Sequence, residues 1–158
     1  MIEVKPPRRI VSTGPKKYIF LAGSIEMGAA IDWQKTVIEH FKDDNVVFFN
    51  PRRDDWDPSW KQDIADENFS EQVHWELDHL NLADLILLYL APDTKSPISL
   101  LELGLYADSG KMVVCCPDGF WRKGNVQIVC KRKKIPLYDS LDRWLEVIES
   151  IIRDKKEE

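Results

Sequence analysis

The sequence predicts an α/β protein with a parallel sheet that is covered by helices on both faces. Short apolar runs alternate along the chain with segments whose apolar residues recur every three or four positions, which is the period of an amphipathic helix. Each short run is apolar at successive positions, as in strands that are buried on both faces of a parallel sheet. With 158 residues the chain is long enough for one domain with a sizeable core.

The predicted order contains about five strands and four helices. The strands are residues 18–22, 46–49, 85–90, 112–116 and 125–130. The first three helices are residues 27–42, 66–82 and 98–109. Trp33, Val37 and Phe41 lie at four-residue spacing and predict the buried face of the first helix. A last helix is predicted to begin after Asp139 or Ser140, either of which can cap it.

Residues 1–16 are predicted to form a mobile arm, and residues 17–158 a single domain. The arm is rich in proline and basic residues, and it lacks an apolar stretch as long as that of a signal peptide. No run in the chain approaches the roughly 18 apolar residues of a membrane span. We therefore expect no membrane partner.

Charge and cysteine content restrict the partners and the compartment. The formal net charge is -5, whereas nucleic-acid binding needs a basic face for phosphate contacts, so we expect no nucleic-acid partner. Cys115 and Cys116 are adjacent in an apolar strand, and Cys130 makes the count odd. This pattern indicates reduced, buried thiols in a cytoplasmic protein. Neither the cysteines nor the histidines show paired metal-ligand spacing, so no metal site is predicted.

Polar residues gather where the predicted strands end. In a parallel sheet these positions share one edge, and ligands of α/β proteins bind there. We predict a site for a polar, partly aromatic small molecule, formed by Gly23, Ser24, Ile25, Asn50, Arg52, Arg53, Trp56, Ser96 and Ser99. Structural alternatives stay open, since Gly23 fits a tight turn and the arginines fit salt bridges.

Glu102 is the leading candidate for a reactive group. It lies in a predicted helix just after the third strand, within an otherwise apolar run. A helix that only packed against the sheet would have an apolar residue there, so we expect nucleophilic or acid–base chemistry. Glu76, beside inward-facing residues of the preceding helix, and Asp84, directly before the third strand, are further candidates. Asp84 reaches the same edge only if its strand begins earlier.

Five short motifs occur in a fixed order between residues 18 and 116. They are Phe20-Leu-Ala-Gly-Ser-Ile25, Asn50-Pro-Arg-Arg53, Gln72-Val-His-Trp-Glu-Leu77, Ala83-Asp84 and Ser96-Pro-Ile-Ser-Leu-Leu-Glu-Leu-Gly104. Together they resemble the nucleoside 2-deoxyribosyltransferase-like family. The resemblance implies a flavodoxin-like, three-layer α/β/α fold and chemistry at an N-glycosidic bond.

The resemblance also implies roles for two carboxylates. Glu102 would attack C1′ of a 2′-deoxynucleoside and form a covalent deoxyribosyl ester, which a second nucleobase then resolves. Asp84 would act on the base side and help to protonate the leaving base. No cofactor is implied. The implied partners are nucleosides, nucleobases and further copies of the chain, since members of the family form homo-oligomers.

Ser96 departs from the pattern of the better-known transferases, in which the residue six before the nucleophile is an aspartate that holds the 5′-hydroxyl. A related branch has serine there and hydrolyses nucleoside 5′-monophosphates. Ser96, Ser99 and an arginine would then bind the phosphate. Two alternatives to the transferase thus stay open: a (deoxy)nucleoside 5′-monophosphate N-glycosidase, and a non-catalytic nucleotide-binding module.

Overall fold

The computed structural model describes residues 1–10, 14, 16–26 and 30–153. These residues form six strands and five helices. The strands are β1 (Ile2–Val4), β2 (Lys17–Gly23), β3 (Val46–Phe49), β4 (Leu85–Tyr89), β5 (Met112–Cys115) and β6 (Leu137–Tyr138). The helices are α1 (Trp33–His40), α2 (Glu67–Leu82), α3 (Pro97–Tyr106), α4 (Lys123–Lys133) and α5 (Leu141–Arg153).

The six strands form one parallel sheet in the order β1-β3-β2-β4-β5-β6. Without β1 this is the 2-1-3-4-5 order of flavodoxin-like folds, which confirms the predicted fold class. The strand order reverses between β2 and β4. The connections that leave these two strands turn to opposite faces, and the crevice between them is where ligands bind in this fold class.

An apolar core on each face of the sheet holds the helices in place. Phe20 of β2 faces the core that contains Trp75 of α2, whereas its neighbour Leu21 faces the core that contains Trp33 of α1 and Trp144 of α5. Helices α2, α3 and α4 therefore cover one face, and α1 and α5 cover the other. Full burial of one such apolar side chain contributes about 1.5–3 kcal/mol, so the layers fix the strand ends that carry the site.

The predicted fifth strand is wrong, because residues 125–130 lie in α4. Val126 and Cys130, one helical turn apart, are buried, while Ile128 is 69% exposed. A short apolar run does not by itself distinguish a strand from a helix, and burial at a spacing of four is helical. The strand that follows β5 in the sheet is instead β6, which pairs with β5.

The N-terminal segment is not a mobile arm over its first residues. Ile2–Val4 forms β1, which pairs with β3 at the sheet edge, and Val4 is fully buried. Farther along, the carbonyl oxygen of Arg8 accepts a hydrogen bond from Trp75 Nε1 at 2.8 Å. A three-residue strand is too short to show against a basic, proline-rich background. Residues 11–13 and 15, also predicted to belong to the arm, lie outside the described residues.

The remaining elements follow the predicted order with shifted ends. Helix α1 begins at Trp33 and is capped by the side chain of Asp32, and residues 27–29 of the predicted helix lie outside the described part of the chain. Ser140 caps α5, since its Oγ accepts from the backbone N–H of Arg143 at 3.4 Å. Of the helices in the described ranges, none combines the length and the apolar character needed to cross a membrane.

The three cysteines are free and buried. Burial raises the pKa of Cys115 to about 12 and the pKa values of Cys116 and Cys130 to about 11. Neutral thiols of this kind pack as small apolar side chains. Within the part of the chain that the structure describes, no group of three or more potential ligands is arranged to hold a metal ion.

Candidate active site

Glu102 lies on the buried face of α3. That face also carries Ser99 and Leu103. Only 8% of Glu102 is exposed, and its Oε2 atom has no hydrogen-bond partner among the described residues. Burial disfavours the charged form and raises the pKa of Glu102 to about 8, with a smaller contribution from the negative charge of Glu76.

Glu76 supplies a second carboxyl group from α2. Burial raises its pKa to about 7, and a hydrogen bond from Gln72 opposes this rise. Gln72 Nε2 donates to Glu76 Oε1 at 2.7 Å and to the carbonyl oxygen of Pro51 at 3.1 Å. We call Glu76 and Glu102 the acidic pair. Because their charges interact, they titrate as a unit that holds about one proton near neutral pH.

Arg53 links the loop after β3 to the acidic pair. Its Nη1 lies 3.5 Å from Oε1 of Gln72, while Nε and Nη2 donate to Asp55 at 2.9 and 3.2 Å. The guanidinium also lies over the ring of Trp60, 4.9 Å from its centroid. Since Asp55 balances the charge of Arg53, the arginine acts mainly by orienting the amide of Gln72 and, through it, Glu76.

Trp56 and Trp60 form an aromatic pair in the same loop. Their ring centroids are 5.1 Å apart in an edge-to-face arrangement, and both side chains are half-buried. The Nε1 atom of Trp56 is buried without a hydrogen-bond partner in the described ranges. A buried indole normally finds an acceptor, so the unmet donor suits a planar ligand that carries acceptor atoms.

Three buried hydroxyl groups meet at the switch point between β2 and β4. Ser24 Oγ lies 2.6 Å from Ser96 Oγ and 3.0 Å from Thr94 Oγ1, and the last two atoms are 2.8 Å apart. The backbone N–H of Ala91 donates to Ser24 Oγ at 2.8 Å, and Thr94 donates to the Ala91 carbonyl at 2.9 Å. We call Ser24, Thr94 and Ser96 the hydroxyl cluster. Its bonds lie within the chain and fix the two loops against each other.

Gly23 allows the sheet to close beneath the hydroxyl cluster. Its φ is +140°, and a Cβ atom there would collide with the carbonyl oxygen of Tyr89 and lie 2.9 Å from Cζ2 of Trp33. Strand β4 and helix α1 therefore approach β2 closely at Gly23. This packing alone accounts for the glycine.

Asn50, Arg52 and Ile25 hold the loops around the site. The Asn50 amide donates to Glu3 Oε1 at 2.9 Å, and its oxygen accepts the backbone N–H of Arg52 at 3.1 Å. Arg52 Nη2 donates to the carbonyl oxygen of Ala30 at 3.2 Å. Ile25 is half-buried and accepts the backbone N–H of Ala30 at 3.3 Å. These contacts join β1, the loop after β3 and the entry to α1.

Asp84 lies at the opposite edge of the sheet, away from the acidic pair. Its Oδ2 accepts the backbone N–H of Tyr18, near the start of β2, at 2.8 Å. Strand β4 begins at Leu85, and its length of roughly 16 Å separates Asp84 from the carboxyl edge. A direct catalytic role for Asp84 does not fit this position. Glu76 is the carboxyl that interacts with Glu102.

A cavity of about 470 Å³ opens at the carboxyl edge, between the loops that follow β2 and β4. It adjoins the hydroxyl cluster through Thr94. The described residues that line it are Glu26, Ala30, Ile31, Tyr89, Ala91, Pro92, Asp93 and Thr94. A smaller cavity of about 200 Å³ lies near the end of α4 and the start of β5 and includes none of the predicted site residues.

Glu26, Gln72 and Thr94 were assigned no role from the sequence, although the structure brings all three to this edge. Gln72 precedes Glu76 by four residues, and this helical spacing is a signal that predicts their contact. Glu26 Oε1 accepts the backbone N–H groups of Lys95 and Ser96 at 3.1 and 2.7 Å. No local pattern predicts this contact, because it depends on β2 and β4 being neighbours in the sheet.

The fold and the site define a flavodoxin-like α/β protein with a buried acidic pair near its switch point. A sequence model of the family described as nucleoside 2-deoxyribosyltransferase like matches residues 16–120. The chain belongs to this family, which confirms the resemblance seen in the motifs.

A solved structure supports the architecture independently. The crystal structure of a conserved protein from Enterococcus faecalis V583 is similar, with a TM-score of 0.63 and 16% sequence identity. The similarity covers 87% of this chain and 99% of that chain. At this identity it shows the fold alone. No match was found among curated proteins.

Proposed function

We propose that this protein is a nucleoside 2′-deoxyribosyltransferase in which Glu102 carries the sugar between two nucleobases. The observation that supports this most directly is the acidic pair. One carboxyl is buried with an oxygen left free of hydrogen bonds in the described part of the chain, and a second carboxyl with a raised pKa interacts with it. Membership of the family supplies the class of reaction.

The reaction is a double displacement at C1′. A carboxylate oxygen of Glu102 attacks C1′ while the C1′–N bond breaks, and Glu76 gives its proton to the leaving base. A nitrogen of the second base then attacks C1′, the ester bond to Glu102 breaks, and Glu76 takes back a proton. Two inversions give net retention, as in retaining glycosidases. Atoms and charges balance without a cofactor.

The proposed roles require the shared proton of the acidic pair to lie on Glu76 when the C1′–N bond breaks. Burial raises the pKa values of Glu76 and Glu102 to about 7 and about 8, so between these values the pair holds one proton, which lies on Glu102 in the free protein and has to pass to Glu76. Positive charge develops at C1′ in the oxocarbenium-like transition state. It stabilises the ionised form of the carboxyl next to C1′, which is Glu102. The shared proton then lies on Glu76, where the leaving base can receive it.

The loop after β3 offers the site for the base. Trp56 and Trp60 present aromatic surface and an unmet indole donor, which suit a nucleobase ring with its acceptor atoms. Gln72 orients the Glu76 carboxyl from one helical turn away. In the proposed pose the base lies between the tryptophans and Glu76, with its glycosidic bond directed toward Glu102.

Helix α3 also presents a face for a second copy of the chain. Ile98, Leu101 and Leu105 lie on this face and are each more than half exposed. Gly104 lies among them, and a Cβ atom there would meet no described atom within 4 Å. Glycine inside a helix costs roughly 1 kcal/mol relative to alanine, so a closely packed partner helix accounts for it. We propose a homo-oligomer joined through this face and, given the reduced thiols, a cytoplasmic location.

Product analysis tests the proposed reaction. The purified protein is incubated with each common 2′-deoxynucleoside, with and without a second free base, and the products are separated by chromatography. We expect a new deoxynucleoside only when the second base is present. Glu102→Gln should reduce its formation by about a thousandfold or more, as loss of a nucleophile does in other covalent mechanisms.

A matched variant and mass spectrometry make this test specific. Glu71→Gln changes an exposed residue of α2 and should leave the rate unchanged. A trapped deoxyribosyl adduct on the peptide that contains Glu102 supports the covalent step. Base release without transfer would instead indicate a hydrolase, and full activity of Glu102→Gln would refute the role of this residue.

A further inference from the structure

We propose that Glu26 selects substrates with a free 5′-hydroxyl and rejects 5′-monophosphates. This inference rests on the proposed transfer reaction at Glu102. Glu26 lies in the loop after β2, with a φ of +47° that is unusual for a residue other than glycine. Its carboxylate reaches across the switch point to the loop after β4.

Glu26 occupies the position where a phosphate would bind at the start of α3. Its Oε1 accepts the backbone N–H groups of Lys95 and Ser96 at 3.1 and 2.7 Å. Ser96 is the N-cap residue of α3, and its own side chain makes no capping bond. The amides at a helix N-terminus attract anions, and here an internal carboxylate already satisfies two of the nearby donors. An incoming phosphate would have to displace Glu26.

The hydroxyl groups nearby are also engaged. Ser96, the residue that could otherwise bind phosphate, is only 5% exposed, and its Oγ lies 2.6 Å from that of Ser24 and 2.8 Å from Oγ1 of Thr94. The presence of serine at this position therefore does not by itself create a phosphate site. The hydroxyl cluster supports the loop that receives Glu26.

The charges around the cavity oppose a phosphate as well. Among the described residues of its lining, the charged ones are Glu26 and Asp93, and both are acidic. Two cations lie close by but have other contacts. Lys95 Nζ lies 4.2 Å from the ring centroid of Trp121, and Arg52 donates to the carbonyl oxygen of Ala30. Bringing like charges together at a binding site is unfavourable, and such repulsion is a usual means of rejecting a wrong partner.

The direction of the substrate brings its 5′ end toward Glu26. Ser96 and Glu102 are six residues apart, about 9 Å along the axis of α3. The proposed pose has C1′ at Glu102 and the base toward Glu76, with the 5′ carbon on the far side of the sugar ring and directed toward the N-terminus of α3. Only Oε1 of Glu26 is used for the amides, so Oε2 can accept a hydrogen bond from a 5′-hydroxyl.

Substrate competition between nucleosides and their monophosphates tests this role. We compare kcat/KM for 2′-deoxynucleosides and for their 5′-monophosphates in the wild type, Glu26→Gln and Glu26→Asp. We expect the wild type to favour the nucleoside at least about tenfold, and Glu26→Gln to shift this ratio toward the monophosphate by at least about tenfold. Glu26→Asp keeps the charge and should keep the preference. Asp118→Asn, which removes an exposed charge after β5, should leave the ratio unchanged.

Each outcome decides the inference. An unchanged ratio in a folded Glu26→Gln protein, or a wild type that prefers monophosphates, overturns it while the reaction at Glu102 stands. If Glu26→Gln does not fold, the inference is tested by two other measurements. These are the ratio of kcat/KM for nucleoside and monophosphate in Glu26→Ala, and the preference of the wild type between the two substrates. If no substrate turns over, the proposed reaction fails. Calorimetry then measures the binding of the nucleoside and of the monophosphate to the wild type and to Glu26→Gln, and so tests the selectivity without turnover. If neither ligand binds to either protein, the role proposed for Glu26 is overturned as well.

Discussion

The hydroxyl cluster and the acidic pair are both buried polar groups at the carboxyl edge of the sheet, but they differ in how their polar atoms are satisfied. Ser24, Thr94 and Ser96 bond to one another and to the backbone of Ala91. Glu102 keeps an oxygen without a partner in the described part of the chain. A satisfied network rigidifies a fold, whereas an unsatisfied buried carboxyl costs stability and is typical of functional sites. The hydroxyl cluster thus serves as scaffold, and the acidic pair is the part of this edge to which we assign the proposed chemistry.

Apart from the loss of activity expected for Glu102→Gln, the largest effect that separates the two clusters is expected at Glu76. Glu76→Gln removes the proposed proton donor for the leaving base and should lower kcat by about a hundredfold to ten-thousandfold. It should also abolish the loss of activity on the alkaline side of the pH profile, where the acidic pair loses its shared proton. Steady-state rates across the neutral range measure both effects.

A substrate whose base leaves without protonation sharpens this test. The deficit of Glu76→Gln should shrink with such a substrate, because proton donation no longer limits the first step. Glu71→Gln is the control on the same helix. An equal deficit with every leaving group would contradict the role of Glu76 as the acid and indicate that it only positions Gln72.

The two clusters also differ in how they affect stability as the pH changes, because the acidic pair titrates and the hydroxyl cluster does not. This effect is smaller than the one on kcat. The pKa values of Glu76 and Glu102 are about 7 and about 8 in the folded protein, against an ordinary value of 4.5. Between pH 4.5 and about 8, these two carboxyl groups have lost protons in the unfolded chain that they still hold in the folded chain. The free energy of unfolding therefore falls as the pH rises from 4.5 through about 8. The stabilising contribution of the protonated pair is complete below this window and lost above it.

Thermal unfolding of the wild type and Glu102→Gln across this window measures the effect. The variant should show a shallower decline, because one of the two titrating groups is gone. Carboxylates with lowered pKa, such as Asp44 beside Arg153, act at more acidic pH and do not interfere. Parallel curves for the two proteins would mean that Glu102 is not desolvated in solution.

Much of the fold is predictable from the sequence, because apolar runs report burial directly. The strand at residues 46–49 is predicted with the bounds of β3, and Trp33, Val37 and Phe41 are buried as expected. The prediction fails where the signal is short or ambiguous. β1 has only three residues, and the apolar residues around Val126 fit a strand pattern although only one face of α4 is buried.

The site is less predictable, because its contacts cross the sheet. An isolated carboxylate in an apolar helix indicates Glu102 from sequence alone, and Gln72 and Glu76 share a helical spacing. The contact of Glu26 with Ser96 joins residues seventy positions apart and depends on strand order. Asp84 was attributed to the site by resemblance, and the position of β4 places it at the wrong edge.

The smallest expected effect concerns the scaffold itself. Ser24→Ala leaves the buried Ala91 N–H without its acceptor and removes one contact from each of the Thr94 and Ser96 hydroxyls, which still bond to each other. It should lower the free energy of unfolding by about 1–3 kcal/mol. Ser150→Ala, at an exposed position of α5 whose hydroxyl donates to the carbonyl oxygen of Val147, should change it by less than about 0.5 kcal/mol. Urea unfolding of both variants measures the difference. Once folded, Ser24→Ala should keep most of its activity, because no hydroxyl of the cluster takes part in the displacement. A catalytic loss as large as that of Glu76→Gln, with stability intact, would instead make the cluster part of the chemistry and end the distinction between the two regions.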